Sequence, residues 1–213
     1  MIFKMVYFLL YIVLIFTPIG FLWTSLPESF GINSNMIPLL NYILLAIIGV
    51  IVFRKEYKDS FQKSFENKRK FLVRQAAVYI GTIVVGAVLV NIFKVQSAQN
   101  QDFVTAAFKK VPALLFILSV GIAGPITEEC IYREILIGKV GRKINKTVMA
   151  VVSIVLFAWV HVMFANLKEI VVYLPMAAGF VYLYLKDNGG LFSSTAGHIF
   201  RNSLSAILMM FII

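Results

Sequence analysis

Seven times along its 213 residues the chain gathers apolar side chains into a run of nearly membrane-spanning length. The runs lie near residues 5–24, 36–53, 75–93, 112–131, 147–165, 169–185 and 191–213. A hydrocarbon core about 30 Å thick takes about 20 helical residues to cross. The expected fold is therefore all-α: a polytopic membrane protein with about seven transmembrane helices. Apolar residues make up 60% of the chain, against about half in an average soluble domain, so little chain is left for a soluble domain. We read one integral-membrane unit in two parts. Residues 1–109 hold N-terminal membrane helices and an amphipathic cytoplasmic segment, and residues 110–213 hold the polar residues that carry chemistry. The first run follows Lys4 and no small-residue cleavage site closes it, so it reads as a retained helix rather than a secretory signal.

A formal net charge of +10 raises nucleic acid as a partner, but the placement of the charge argues for topology instead. Arg54, Lys55, Lys58, Lys63, Lys68, Arg69, Lys70 and Arg74 crowd the second connection, and Arg133, Lys139, Arg142, Lys143 and Lys146 crowd the fourth. The third and fifth carry far fewer. This positive-inside pattern predicts a multi-pass plasma-membrane protein with its N-terminus in the cytoplasm. The expected partner of the basic segments is anionic lipid, with no nucleic acid. Within the second connection Tyr57, Phe61 and Phe65 recur every four residues among lysines, which predicts an interfacial amphipathic helix over 57–72. Ser25–Asn35 and Lys94–Lys110 read as external loops.

Beyond Val111 the polar residues change character. Glu128, Glu129, His161, His198, Arg201 and Asn202 fall within apolar runs, Arg133 stands two residues past the end of one, and the two histidines are the only ones in the protein. Ionisable groups at membrane depth are costly and mark functional sites. Gly124-Pro125 predicts a break in the fourth span, because proline lacks an N–H donor and favours the first helical position. Both glutamates would then sit in the first turn of a new segment, beside free amides.

If the chain turns near Asn145, Glu129 lies sixteen residues before the turn and His161 sixteen after. Each then stands roughly 24 Å from the tip, at 1.5 Å per residue, so the hairpin brings them to one depth. With residues 138–145 projecting roughly 10 Å, the pair lies about 14 Å below the inner surface, and His198 on the last helix reaches about 12 Å. His198 and Asn202 share a helix face, as do Glu129 and Arg133. A carboxylate with a histidine can hold and deprotonate water, while a second histidine and an amide can stabilise an oxyanion. Amide hydrolysis suits this set. Other readings of the same residues are a zinc site of one carboxylate and two histidines, although His-Glu-x-x-His is absent; Cys130, the single cysteine, as nucleophile; a non-catalytic immunity or scaffold protein with a polar core; and a transporter, although no internal repeat pairs the two halves.

Three patterns, Glu128-Glu129-x-x-x-Arg133, Phe157-x-x-x-His161 and His198-x-x-x-Asn202, stand in order at the fourth, fifth and seventh apolar runs. At these residues the chain resembles the CAAX protease and bacteriocin-processing membrane proteins, also called Abi, over roughly residues 110–213. The resemblance implies a glutamic intramembrane endopeptidase that uses no metal or other cofactor, with 110–213 as its catalytic core. It assigns water activation to Glu128, water holding to His161, an oxyanion hole to His198 and Asn202, and an orienting pair to Glu129 and Arg133. The implied substrate is a small peptide or a membrane-tethered protein, in bacterial peptide maturation or bacteriocin self-immunity.

Overall fold

The computed structural model describes residues 2–20, 32–95, 99–162, 167–186 and 190–212. Among them the elements are helices, which we label in chain order: α1 (Ile2–Phe16), α2 (Ile37–Val52), α3 (Arg54–Phe65), α4 (Lys68–Phe93), α5 (Gln99–Phe108), α6 (Ala113–Val140), α7 (Lys146–Val160), α8 (Ile170–Lys186) and α9 (Leu191–Ile212). Among the described residues α4, α6 and α8 with its leading turn are long and apolar enough to cross a membrane, and the count reaches four if α2 and α3 form one broken span. α1 and α7 are apolar but shorter.

Local chemistry sets several ends. Asn145 caps α7, its side chain accepting from the amides of Thr147 and Val148 at 2.9 and 3.0 Å, which satisfies two of the first-turn donors. The expected turn near Asn145 is therefore present. Asn67 caps α4 in the same way through the Lys70 amide. That cap ends the amphipathic segment earlier than expected: α3 stops at Phe65, and Leu72 belongs to α4. Within the third connection, α5 replaces much of the expected loop. Residues 25–31 of the first lie outside the described ones.

α6 corrects the expected break at Gly124-Pro125. The helix is continuous over 28 residues, and its hydrogen bonding widens to the π pattern over Ile117–Ala123 and again over Cys130–Val140. The Gly124 amide reaches back five residues to the Ser119 carbonyl. The glutamates therefore sit in mid-helix rather than beside free first-turn amides. Such widened turns are frequent at functional sites.

The chain forms two compact units, one of residues 1–54, 106–128 and 199–213, the other of residues 55–105 and 129–198. In the first, α1 and α2 pack together and α2 packs on the Ile117–Ala123 stretch. Asn41, buried in α2, donates to the carbonyls of Leu14 and Gly20 at 3.2 and 2.9 Å. In the second, α4 packs on α8, and α7 packs on both α8 and the Cys130–Val140 stretch.

Candidate active site

In the second unit a buried chain of charges runs through Arg133, Glu129 and His198, each at most 1% exposed. Glu129 divides its carboxylate: Oε2 pairs with Arg133 Nε at 3.2 Å and Oε1 accepts from His198 Nδ1 at 3.0 Å. Buried charges persist only when paired and hydrogen-bonded, and here the pairing extends further. Arg133 Nη1 donates to Ser153 Oγ at 2.9 Å, and Ser153 in turn donates to the Tyr132 carbonyl at 2.7 Å. Residues four apart on a helix share a face, so the Glu129–Arg133 pairing was readable from spacing.

Phe157 connects these residues to His161. The Arg133 guanidinium lies 4.8 Å from its ring centre, and the rings of His161 and His198 lie 4.6 and 5.6 Å away. Each histidine has a second aromatic neighbour. Phe180 stacks on His198 at 4.2 Å and Tyr173 stacks on His161 at 4.8 Å. The first residue of the Phe-x-x-x-His pattern is thus the shared wall between both histidines.

Hydrogen bonds fix which nitrogen of each ring faces the protein. His161 Nδ1 lies 2.7 Å from the Phe157 carbonyl, which only accepts, so Nδ1 carries the proton and Nε2 of the neutral ring is an acceptor. His198 Nδ1 donates to Glu129 by the same logic. Its Nε2 becomes a donor only when the ring is an imidazolium.

Glu128 and Asn202 belong to the first unit, and Glu128 is part-buried there. Asn202 answers a backbone problem. Pro125 has no N–H, so the carbonyls four and five residues back, Gly121 and Val120, receive no donor from it. Asn202 Nδ2 donates to Val120 O at 3.2 Å and Ser203 Oγ donates to Gly121 O at 3.1 Å. These two α9 side chains supply donors to both carbonyls that the missing N–H could have served, and α6 continues through Pro125.

The structure adds residues that sequence reasoning missed. Ser153, Phe180 and Tyr173 carry no signal of their own among apolar neighbours. Glu134, between Arg133 and Lys139 in sequence, is 2% exposed. It accepts from Tyr184 at 2.8 Å and pairs with Lys139 at 3.3 Å. Tyr57 turns inward from the aromatic stripe of α3, its hydroxyl 3.2 Å from Thr195 Oγ1 and 3.6 Å from Cys130 Sγ. Phe61 and Phe65, though partly exposed, pack on Phe192 of α9, so the stripe expected to face lipid also serves the protein interior. Among the described residues no group of three or more His, Cys, Asp or Glu side chains is gathered as a metal site.

The comparisons with known proteins cover the part of the chain that holds this geometry. Residues 110–204 match the family described as "Type II CAAX prenyl endopeptidase Rce1-like", a stretch that contains all three patterns. Over those residues the chain is similar to the CAAX protease family. Its relatives include the "Putative membrane peptidase YdiL" of Bacillus subtilis (strain 168), 23% identical over 80% of this chain and 70% of that protein. An "Uncharacterized protein" of Mycoplasma capricolum subsp. capricolum is 23% identical over 85% of this chain and 62% of its own length. No solved structure matches the chain. At family level, the likeness is to a peptidase.

Proposed function

We propose that the protein is an intramembrane glutamic endopeptidase that cuts a peptide bond in a small peptide or membrane-tethered protein. The observation that carries this reading is the buried Arg133–Glu129–His198 chain, lying within the family match and joined through Phe157 to His161. A membrane protein that commits three charged or chargeable side chains to full burial has a use for fixed polar geometry.

In this mechanism Glu128 takes a proton from water, and Nε2 of neutral His161 accepts a hydrogen bond from that water and holds it. The hydroxide adds to the carbonyl carbon, and the resulting oxyanion is stabilised by His198 Nε2–H and by Asn202. Asn202 has two amide hydrogens, one of which serves Val120 O; the other is available to the oxyanion. Glu129 is a positioning residue that holds His198 by Nδ1 and is itself held by Arg133. Collapse of the tetrahedral intermediate breaks the C–N bond, and Glu128 returns its proton to the leaving amine. The chemistry proposed uses no metal. The chain would cross the plasma membrane seven times with its N-terminus in the cytoplasm, serving bacterial peptide maturation or bacteriocin self-immunity.

The proton requirements give a pH signature. Protonating His161 removes its acceptor, so kcat/KM falls at low pH; deprotonating the His198 imidazolium removes its donor, so the rate falls at high pH. A bell-shaped profile is expected, and His198→Gln should flatten its high-pH limb. The deciding experiment sets detergent-purified wild type beside Glu128→Ala on a peptide library read by mass spectrometry. Cleavage by wild type alone is expected, and identical cleavage by both overturns the mechanism.

One observation favours a second reading, a non-catalytic immunity or scaffold protein. Asn202 and Glu129 both have structural employment, as bonds between helices do in membrane proteins generally. That reading predicts that Glu128→Gln leaves the cellular phenotype intact.

A further inference from the structure

A cavity of about 390 Å³ opens among α3, the end of α6, the start of α7 and Tyr184 of α8, all within the second unit. That is within the usual size range of small-ligand sites, roughly 300–1,000 Å³. Its walls carry Lys55, Lys63, Lys139, Arg142 and Lys146 against the acids Glu56, Asp59 and Glu134. The charges are unequally spent. Buried Glu134 binds Lys139 at 3.3 Å and Arg142 at 3.6 Å, and Lys139 also reaches Glu56 at 3.0 Å. Among the described residues Lys55, Lys63 and Lys146 make no ion pair, and they face the same volume.

Two further features point to an anion. Lys146 is the first residue of α7, where the positive helix end disfavours a cation unless negative charge is nearby. The cavity also lies where α6 ends at Val140, α7 starts at Lys146 and α8 approaches its end at Lys186, the level at which a spanning helix meets headgroups. We propose that this cavity binds one phosphate-bearing anion, with Lys55, Lys63 and Lys146 as its direct contacts and Glu134 positioning Lys139 and Arg142 beside it. The phosphate can come from an anionic phospholipid headgroup or from free phosphate. A single built site differs from the diffuse attraction of any basic surface for anionic lipid, because only the cavity residues should matter.

The test is native mass spectrometry of the full chain released from vesicles of phosphatidylcholine mixed with phosphatidylglycerol. Wild type should retain phosphatidylglycerol in preference to phosphatidylcholine. Each lysine replaced by glutamine should lower retention about fivefold, so that K55Q/K63Q/K146Q loses on the order of a hundredfold. The control K68Q/R69Q/K70Q removes as much charge from the exposed start of α4 and should lose less than fivefold in all. Lysine-to-arginine changes at the three cavity positions should restore binding, which separates lost charge from a damaged fold. Inorganic phosphate tells the sources apart: displacement of the lipid by phosphate, with protection against thermal unfolding by phosphate alone, assigns free phosphate, and persistence of the lipid assigns the headgroup. Equal losses in both triple variants, or none in the cavity triple, would overturn the proposal. The readout is binding, so the outcome is independent of whether the protein cleaves peptides.

Discussion

Two long helices of this chain, α4 and α6, look alike as apolar runs and are built for different surroundings. α4 keeps regular α geometry over 26 residues, confines its charges to Lys68, Arg69, Lys70 and Arg74 at one end, and has no fully buried residue. α6 buries Glu129, Arg133 and Glu134 and twice departs from α geometry. Apolar length marks both as candidate spans. What separates them is buried charge and backbone carbonyls that other helices satisfy: Ser153 from α7, Tyr184 from α8, and His198, Asn202 and Ser203 from α9. A lipid-facing helix carries its own solution in its backbone, whereas a site-bearing helix has its solution distributed over the rest of the fold.

The contrast is broken most directly at Arg133. Replacing it with leucine leaves Glu129 buried without its guanidinium neighbour and leaves Ser153 short of one partner. Truncating one member of a buried ion pair costs about 3–5 kcal/mol. A volume change on exposed α4, such as Val84→Leu, should stay within about 0.5 kcal/mol. Reversible thermal unfolding in detergent measures both. Comparable effects at the two positions would mean that the charges of α6 are no more integrated than the surface of α4.

A gentler comparison uses glycine. A methyl group at Gly81 or Gly86 of α4 meets nothing within 4 Å, while one at Gly121 of α6 would stand 2.9 Å from Ser203 Oγ and 3.1 Å from the Ser203 backbone. Since backbone cannot step aside cheaply, Gly121→Ala should destabilise by about 1–3 kcal/mol. Gly81→Ala should stabilise by up to about 1 kcal/mol, the ordinary helix-propensity gain. Opposite signs in the same unfolding assay are the expected outcome.

These helices also show what sequence could and could not disclose. Apolar length located the candidate spans, Asn145 marked the turn after α6, and four-residue spacing paired Glu129 with Arg133. The expense of ionisable groups in lipid singled out His161 and His198 before any geometry was known. Ser153 could not be found this way, because a serine in an apolar run is cheap and common; its role exists only once Arg133 arrives from another helix. Glu134 was obscured by the basic residues that follow it, which read as a solvated connection. The aromatic stripe of α3 had the right period for a lipid-facing surface, but period alone cannot tell lipid from Phe192. The break expected at Pro125 failed for a related reason. A missing donor ends a helix only if no other group supplies one, and the replacements lie some 80 residues away.

That replacement yields the smallest expected effect and the sharpest test of how α6 stays continuous. In wild type, Asn202→Ala removes the donor to Val120 O and should cost about 1 kcal/mol. In a Pro125→Ala background the restored amide can bond the carbonyl four or five residues back, so the same Asn202 change should cost measurably less. A double-mutant cycle reads the difference as a coupling energy of about 0.5–1 kcal/mol. Ser203→Ala, which deprives Gly121 O, should show the same sign of coupling to Pro125. Strict additivity at both positions would mean that α9 does not compensate for the proline. Coupling at Asn202 together with retained cleavage by Asn202→Ala would assign this residue to holding α6 rather than to stabilising the oxyanion. Coupling with cleavage lost beyond what unfolding explains would mean that one amide group performs both tasks, one hydrogen for each.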